Sequence, residues 1–230
     1  VANATGSSKA FTIAGGDGQD ILTGGAGADI ITGGAAVDTI VGGAAVDTIT
    51  GGAGNDIIDA GAGADIIVIA TAGEADGDTI DGGADADVLK LSTGGTDTFA
   101  TDNKLQNVET IQAHTSGSTV VLTGQTEALT ITGGAGIDNI TGGGGIDTIT
   151  GAGGIDTITG GAGNDIITGG AGNDIITVDS GTDTVTDLGG ASGGESDVVV
   201  VASGATLNAT GVISFTATSA TQNNSTNAGN

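Results

Sequence analysis

The 230-residue sequence contains no Cys, Pro, Met, Trp or Tyr, three aromatic residues (Phe11, Phe99, Phe215) and three strong bases (Lys9, Lys90, Lys104). Without cysteine there are neither disulfides nor thiolate metal sites. Aromatic rings supply much of the buried area of an ordinary globular core, so a thick core is excluded. The formal charge is −25. Nucleic-acid binding needs cationic side chains to displace counterions, so nucleic acid is excluded as a partner. Attraction to anionic membranes fails for the same reason. No run of about twenty apolar residues is present, so membrane insertion is not expected. The chain starts at Val1 without a basic n-region or apolar h-region. It therefore reads as a processed product or an excised segment with no visible signal peptide.

What is abundant is glycine, 48 residues, against a background that is 37% apolar. High acidity with few aromatics signals disorder. Here the glycines are periodic, so disorder is expected only when cations are missing. The period is nine, in the phrase Gly-Gly-x-Gly-x-Asp-x-(Ile/Leu)-x. Gly15 to Thr23 reads GGDGQDILT, and GGAGNDIIT occurs twice in succession from Gly160 to Thr177. The first array runs from Gly15 to Val68 with Asp20, Asp29, Asp38, Asp47, Asp56 and Asp65 in phase. After an insert at Ile69 to Ala72, two weaker repeats carry Asp78 and Asp87. The second array, Gly133 to Thr186, carries Asp138, Asp147, Asp156, Asp165, Asp174 and Asp183, and its last repeat is degenerate.

Each repeat supplies a tight turn, through glycines that tolerate positive φ, and a short strand with one inward apolar residue. Two repeats make one coil, so aspartates recur on one edge every second repeat. Asp20, Asp38 and Asp56 are expected to stack on one edge, and Asp29, Asp47 and Asp65 on the other. In the second array the stacks are Asp138, Asp156, Asp174 and Asp147, Asp165, Asp183. Strands stack about 4.8 Å apart. Two carboxylates about 5 Å apart repel by roughly 3 kcal/mol at an effective dielectric of about 20. Summed over the stacked pairs, this repulsion outweighs a typical domain stability of about 5–15 kcal/mol. A hard divalent cation held by oxygen ligands reverses the sign.

These repeats resemble the repeats-in-toxin (RTX) family, whose nonapeptide binds calcium. The resemblance implies an all-β fold, a right-handed parallel β-roll or β-solenoid in two calcium-binding arrays joined by a β-rich insert, with several Ca2+ ions as cofactor. It implies metal ligation by Asp20, Asp29, Asp38, Asp47, Asp56, Asp65, Asp78, Asp87, Asp138, Asp147, Asp156, Asp165, Asp174 and Asp183. Turn carbonyls near Gly16, Gly18, Gly25, Gly27, Gly52, Gly54, Gly134, Gly136, Gly143, Gly145, Gly161, Gly163, Gly170 and Gly172 complete the ligand set. Folding is then expected to require calcium. The expected organisation is a lead-in strand (1–14), a first roll (15–90), a β-rich insert with calcium-free rungs (91–132), a second roll (133–186), a β cap (187–218) and a flexible polar tail (219–230).

In the insert, Val108 to Ile111 and Thr119 to Thr123 read as strands. Beyond the second array, so do Asp197 to Ala202 and Val212 to Thr218. The nine-residue phase extends upstream through Leu122 and Ile131, so solenoid rungs are expected to begin before the aspartates do. Ala36 and Ala45 replace the fourth glycine, where Ala fits the turn less well. Asp85 at that position reads either as an extra ligand or as a flaw. The fifth position holds Val37, Val46, Ile137, Ile146 and Ile155. The seventh holds Ile30, Ile57, Ile66, Ile166 and Ile175, and alternation sends it outward. These residues read either as incidental surface apolarity or as a flat face that packs laterally in an assembly. Thr-x-Thr triplets (Thr48/Thr50, Thr148/Thr150, Thr157/Thr159) would suit ice binding, against the plain β propensity of Thr. His114 has no second His or Cys for a transition-metal site, and Lys90 and Lys104 read as surface decoration. No nucleophile elbow or cleft-forming fold is present, so no enzyme is expected.

By resemblance to RTX-type surface-layer proteins, a reading that the phrase LQNVETI (Leu105 to Ile111) suits, the chain is expected to be a secreted, self-assembling structural protein of the bacterial cell surface or extracellular matrix. It would form a lattice or filament, with surface polysaccharide as an anchoring partner. A first alternative is the calcium-triggered folding module of a type I-secreted enzyme or toxin. The tail Ser219 to Asn230 lacks the acidic and hydrophobic cluster of such secretion signals. A second alternative is an adhesin segment that binds ice or glycan.

Overall fold

The computed structural model describes residues 1–188, 196–210 and 222–223. The chain divides into two compact units, Val1–Gln112 and Ala113–Asn230. The first holds β1 (Ala2–Asn3), β2 (Thr12–Gly16), β3 (Ile21–Gly25), β4 (Ile30–Ala35), β5 (Thr39–Ala44), β6 (Thr48–Ala53), β7 (Ile57–Ala62), β8 (Ile66–Ile69), β9 (Thr79–Asp81), β10 (Val88–Leu91), β11 (Thr96–Thr98), β12 (Leu105–Gln106) and β13 (Thr110–Gln112). A 3-10 turn, Asp102–Lys104, precedes β12. The second holds β14 (Thr119–Val121), β15 (Thr130–Thr132), β16 (Asn139–Thr141), β17 (Thr148–Gly153), β18 (Thr157–Thr159), β19 (Ile166–Ala171), β20 (Ile175–Val178), β21 (Thr182–Thr186), β22 (Val198–Val201), β23 (Thr206–Ala209) and β24 (Gln222–Asn223).

The repeat dictates the topology. A tight turn followed by a three- to six-residue strand leaves no room for a hairpin, so a strand lies beside the one two places on, or three places on at β9 and β10, where β11 intervenes. In the first unit β1, β3, β5, β7, β9 and β12 form one sheet, and β2, β4, β6, β8, β10 and β13 the other. In the second unit the sheets are β14, β16, β18, β20, β22 and β15, β17, β19, β21, β23, β24. The pairings are parallel, which is the β-solenoid of a parallel β-roll.

Register stacks the eighth-position residues into columns. Leu22, Ile40, Ile58 and Ile80 form one in the first unit, and Ile31, Ile49, Ile67, Leu89 and Ile111 the other. Ile140, Ile158 and Ile176, and Ile131, Ile149, Ile167 and Val185, do the same in the second unit. These side chains are buried. Each contributes about 1.5–3 kcal/mol, and with so few per coil the core is as thin as the lack of aromatics requires.

Rungs do begin ahead of the second array, but the inward residue over Ile140 is Val120, not Leu122. Counting back by nines from Ile131 misses two extra residues in the intervening turn. Leu122 lies at that turn's start, where its carbonyl accepts the Gln125 N–H at 2.9 Å. The expected strand at Val108 to Ile111 is displaced to Thr110–Gln112, and the one at Thr119 to Thr123 ends at Val121. The strand at Asp197 to Ala202 is present as Val198–Val201. The expected strand Val212 to Thr218 lies outside the described residues. So does the tail, apart from Gln222–Asn223, which pairs with Thr206 and Leu207.

Ala36 and Ala45 sit in the left-handed region, at φ 72° and 71°. An L-residue there costs about 1–2 kcal/mol. Ala36→Gly and Ala45→Gly are therefore expected to raise stability by about 1 kcal/mol each, after allowing for the greater freedom of unfolded glycine. Denaturant titration of the calcium-loaded protein checks this, and a loss of stability in both variants would contradict the strain. Ala152, in a second-position slot that glycine usually fills, is at φ 81° and went unremarked in the sequence.

Candidate metal centre

The sixth and eighth positions both point inward and the seventh outward, so each aspartate is delivered beneath the turn that precedes its strand. Asp38, Asp47, Asp65, Asp87, Asp138, Asp147, Asp156, Asp174 and Asp183 are completely buried, and Asp29, Asp56, Asp78 and Asp165 nearly so. Asp20 is half-buried and faces the Val1 ammonium at 3.3 Å.

Each carboxylate is anchored by the coil before it. The Asp20 N–H donates to Asp38 Oδ1, Asp38 to Asp56 and Asp56 to Asp78, each at 2.8 Å. On the other edge Phe11 donates to Asp29, Asp29 to Asp47, Asp47 to Asp65 and Asp65 to Asp87, at 2.6–2.7 Å. In the second unit Ser118 donates to Asp138, Asp138 to Asp156 and Asp156 to Asp174, at 2.6–2.8 Å. Leu129 donates to Asp147, Asp147 to Asp165 and Asp165 to Asp183, at 2.8–2.9 Å. The two expected stacks per array are thus present as hydrogen-bonded ladders.

The ladders include acidic residues that the sequence reading passed over. The Asp87 N–H donates to Glu109 Oε2 at 2.7 Å, Asp174 to Asp197 at 2.9 Å, and Gly73 to the buried Asp97 at 3.0 Å. Asp179 Oδ1 accepts the Gly161 N–H at 3.0 Å. The signal for the first three was an acid two residues before an inward apolar one (Glu109–Ile111, Asp197–Val199, Asp97–Phe99). The absence of the glycine phrase at these three turns hides it.

The second oxygen is the notable atom. Oδ2 of Asp29, Asp38, Asp47, Asp56, Asp65, Asp87, Asp97, Asp156, Asp165 and Asp183 is buried and accepts no hydrogen bond. At Asp138 and Asp147 a turn N–H reaches it, from Gly134 at 2.7 Å and Gly143 at 3.1 Å. A buried carboxylate oxygen without a donor costs more than a neutral group's roughly 1–3 kcal/mol, and a cation is its natural partner. Among the described residues no three carboxylates or imidazoles converge on one point. A cation here would draw on backbone carbonyls as well, an all-oxygen shell that suits calcium.

Burial pushes the carboxyls of Asp65, Asp87, Asp156 and Asp183 up to about 6. It pushes Asp78 up to about 7. The backbone N–H partner pulls each back down, and repulsion between stacked carboxylates is a smaller upward effect. This corrects the sequence argument: the main cost of the ladder is desolvation, because each carboxylate is tucked under its own turn rather than facing its neighbour through solvent. His114 lies half-buried in a loop with Nδ1 2.7 Å from Ser116 Oγ. One further reading changes. Lys104, read as decoration, donates from Nζ to the Gly77 carbonyl at 2.8 Å and to Thr79 Oγ1 at 3.3 Å.

Fold and site together define a parallel β-roll whose two edges carry buried carboxylate ladders fit for a hard divalent cation. The family model of the RTX calcium-binding nonapeptide repeat matches residues 12–39, 32–67, 72–96, 132–154 and 150–185, more than half of the chain. The chain belongs to the RTX calcium-binding repeat family. No curated protein matches it.

Proposed function

We propose that this chain is a calcium-dependent structural protein of the bacterial cell surface or extracellular matrix, exported unfolded and assembled into a lattice or filament once calcium folds it. The metal ligands in this reading are the ladder aspartates of both arrays, joined by the carbonyls of their glycine turns. The ladders of buried, donor-less Oδ2 atoms carry the proposal. They make folding conditional on a cation, and they leave the outer faces to be used for contact. Those faces mix isoleucine and threonine in register. Ile30, Thr48 and Ile66 form one outward row and Thr39 and Ile57 adjoin in another, with Ile30 53% and Ile57 51% exposed. Threonine ranks are broken by these isoleucines, which favours lateral packing over ice binding. Surface polysaccharide is the anchoring partner that this setting supplies.

Electron microscopy of the purified chain with calcium tests the proposal. Ordered sheets or fibres are expected, and persistent monomers would instead favour a folding module of a larger secreted protein. Replacing Ile30, Ile57, Ile166 and Ile175 by Asp is expected to abolish assembly while circular dichroism stays unchanged. Assembly that survives this series would count against the face.

A further inference from the structure

We propose that the Lys104 ammonium is a tethered cation that holds the Asp78 turn in place of a calcium ion, making this coil a calcium-independent joint in the first unit. The inference rests on the calcium reading above. The Asp78 turn is where the repeat is least complete. Gly73 to Asp81 reads GEADGDTID, without the paired glycines, and follows the four-residue insert. The edge ladder that runs through Asp20, Asp38 and Asp56 reaches Asp78 and finds no further carboxylate. Pairing of Leu105 with Ile80 puts Asn103 in the next aspartate's place, and Asn103 Oδ1 accepts the Thr101 hydroxyl at 2.7 Å.

The adjacent residue is the base. The 3-10 turn Asp102–Lys104 sets Lys104 beside Thr79. Its Nζ lies 2.8 Å from the Gly77 carbonyl and 3.3 Å from Thr79 Oγ1. The same ammonium acts electrostatically on Asp78, opposing Asp56 and Glu74. A turn carbonyl and a hydroxyl are oxygen donors of the kind a hard cation takes, and the Asp78 carboxylate feels the same charge at longer range. Here the positive charge arrives on a side chain. Lys9 and Lys90 are exposed, so of the three lysines only Lys104 is half-buried against a turn.

The test compares wild type, Lys104→Met and Lys104→Arg as full chains at saturating calcium. Native mass spectrometry counts ions, and hydrogen exchange follows the amides of residues 74–81. Lys104→Met is expected either to bind one calcium ion more than wild type or to exchange these amides about tenfold faster, the scale of a lost charge-assisted hydrogen bond. Amides of residues 138–186 should stay unchanged, and Lys104→Arg should behave as wild type. A Lys104→Met chain with the wild-type ion count and wild-type protection overturns the inference, and so does one that loses an ion. A wild-type chain that folds without binding calcium overturns the calcium reading instead, and exchange at 74–81 then decides the Lys104 contact by itself.

Discussion

Excess chelator added to the calcium-loaded chain at neutral pH is expected to abolish most of its strand signal in circular dichroism, and calcium to restore it. The argument starts from Oδ2 atoms of ten aspartates that are buried with no donor. Each costs at least the 1–3 kcal/mol or so of an unsatisfied buried polar group, more when charged. Together they come to about 10–30 kcal/mol, enough to match or exceed the roughly 5–15 kcal/mol that holds a typical domain folded. A bound ion reverses this: every site held at a hundredfold excess over its dissociation constant contributes about 2.7 kcal/mol. Single substitutions separate the two oxygens. Asp47→Asn keeps an acceptor for the Asp29 N–H, now bonded at 2.7 Å, but removes the charge. It should raise the calcium midpoint several-fold. Asp47→Ala should also strand that N–H and cost a further 1–3 kcal/mol or so. A strand signal indifferent to chelator would sink the calcium reading.

Acidifying the calcium-free chain from pH 7 toward pH 4 is expected to restore strand structure. Burial raises the folded carboxyls of Asp65, Asp87, Asp156 and Asp183 to about 6 and of Asp78 to about 7, from 3.8. Burial likewise raises Asp47, Asp56, Asp97, Asp147 and Asp165. In this window the folded chain binds more protons than the unfolded one, so stability falls as pH rises. The contribution is fully present below pH 3.8 and is lost as pH passes 6 to 7. With calcium present the dependence inverts, because the ligands must be deprotonated to bind, and the calcium midpoint should climb on acidification. Circular dichroism in chelator at pH 4.5 and 7 reads the first effect. Less strand at the lower pH would contradict it.

The fold was legible wherever the period of nine was unbroken. Asp20, Asp38 and Asp56, and Asp147, Asp165 and Asp183, lie in the ladders that two repeats per coil require. Outward isoleucines such as Ile30 and Ile166 follow from alternation alone. Legibility failed where a coil changed length. Val120 took the place expected of Leu122 because the turn after it is longer, and periodicity carries no information across an insertion. Glu109 and Asp197 were missed because their turns lack the glycine phrase, although the acid-x-apolar strand entry was intact. Lys104 was unreadable because the residues it touches, Gly77 and Thr79, are a full coil away in sequence.

Sequence by itself determined the coil, the inward columns, the two acidic edges and the family, since each follows from a local repeat and the fixed alternation of a strand. Tertiary structure decided what the carboxylates do there. One oxygen is spent on the backbone of the preceding coil, and at ten aspartates the other is buried with no donor, so desolvation, more than mutual repulsion, is the cost that a bound cation would offset. That balance depends on how deeply each turn covers its aspartate, which only the stacking of coils sets.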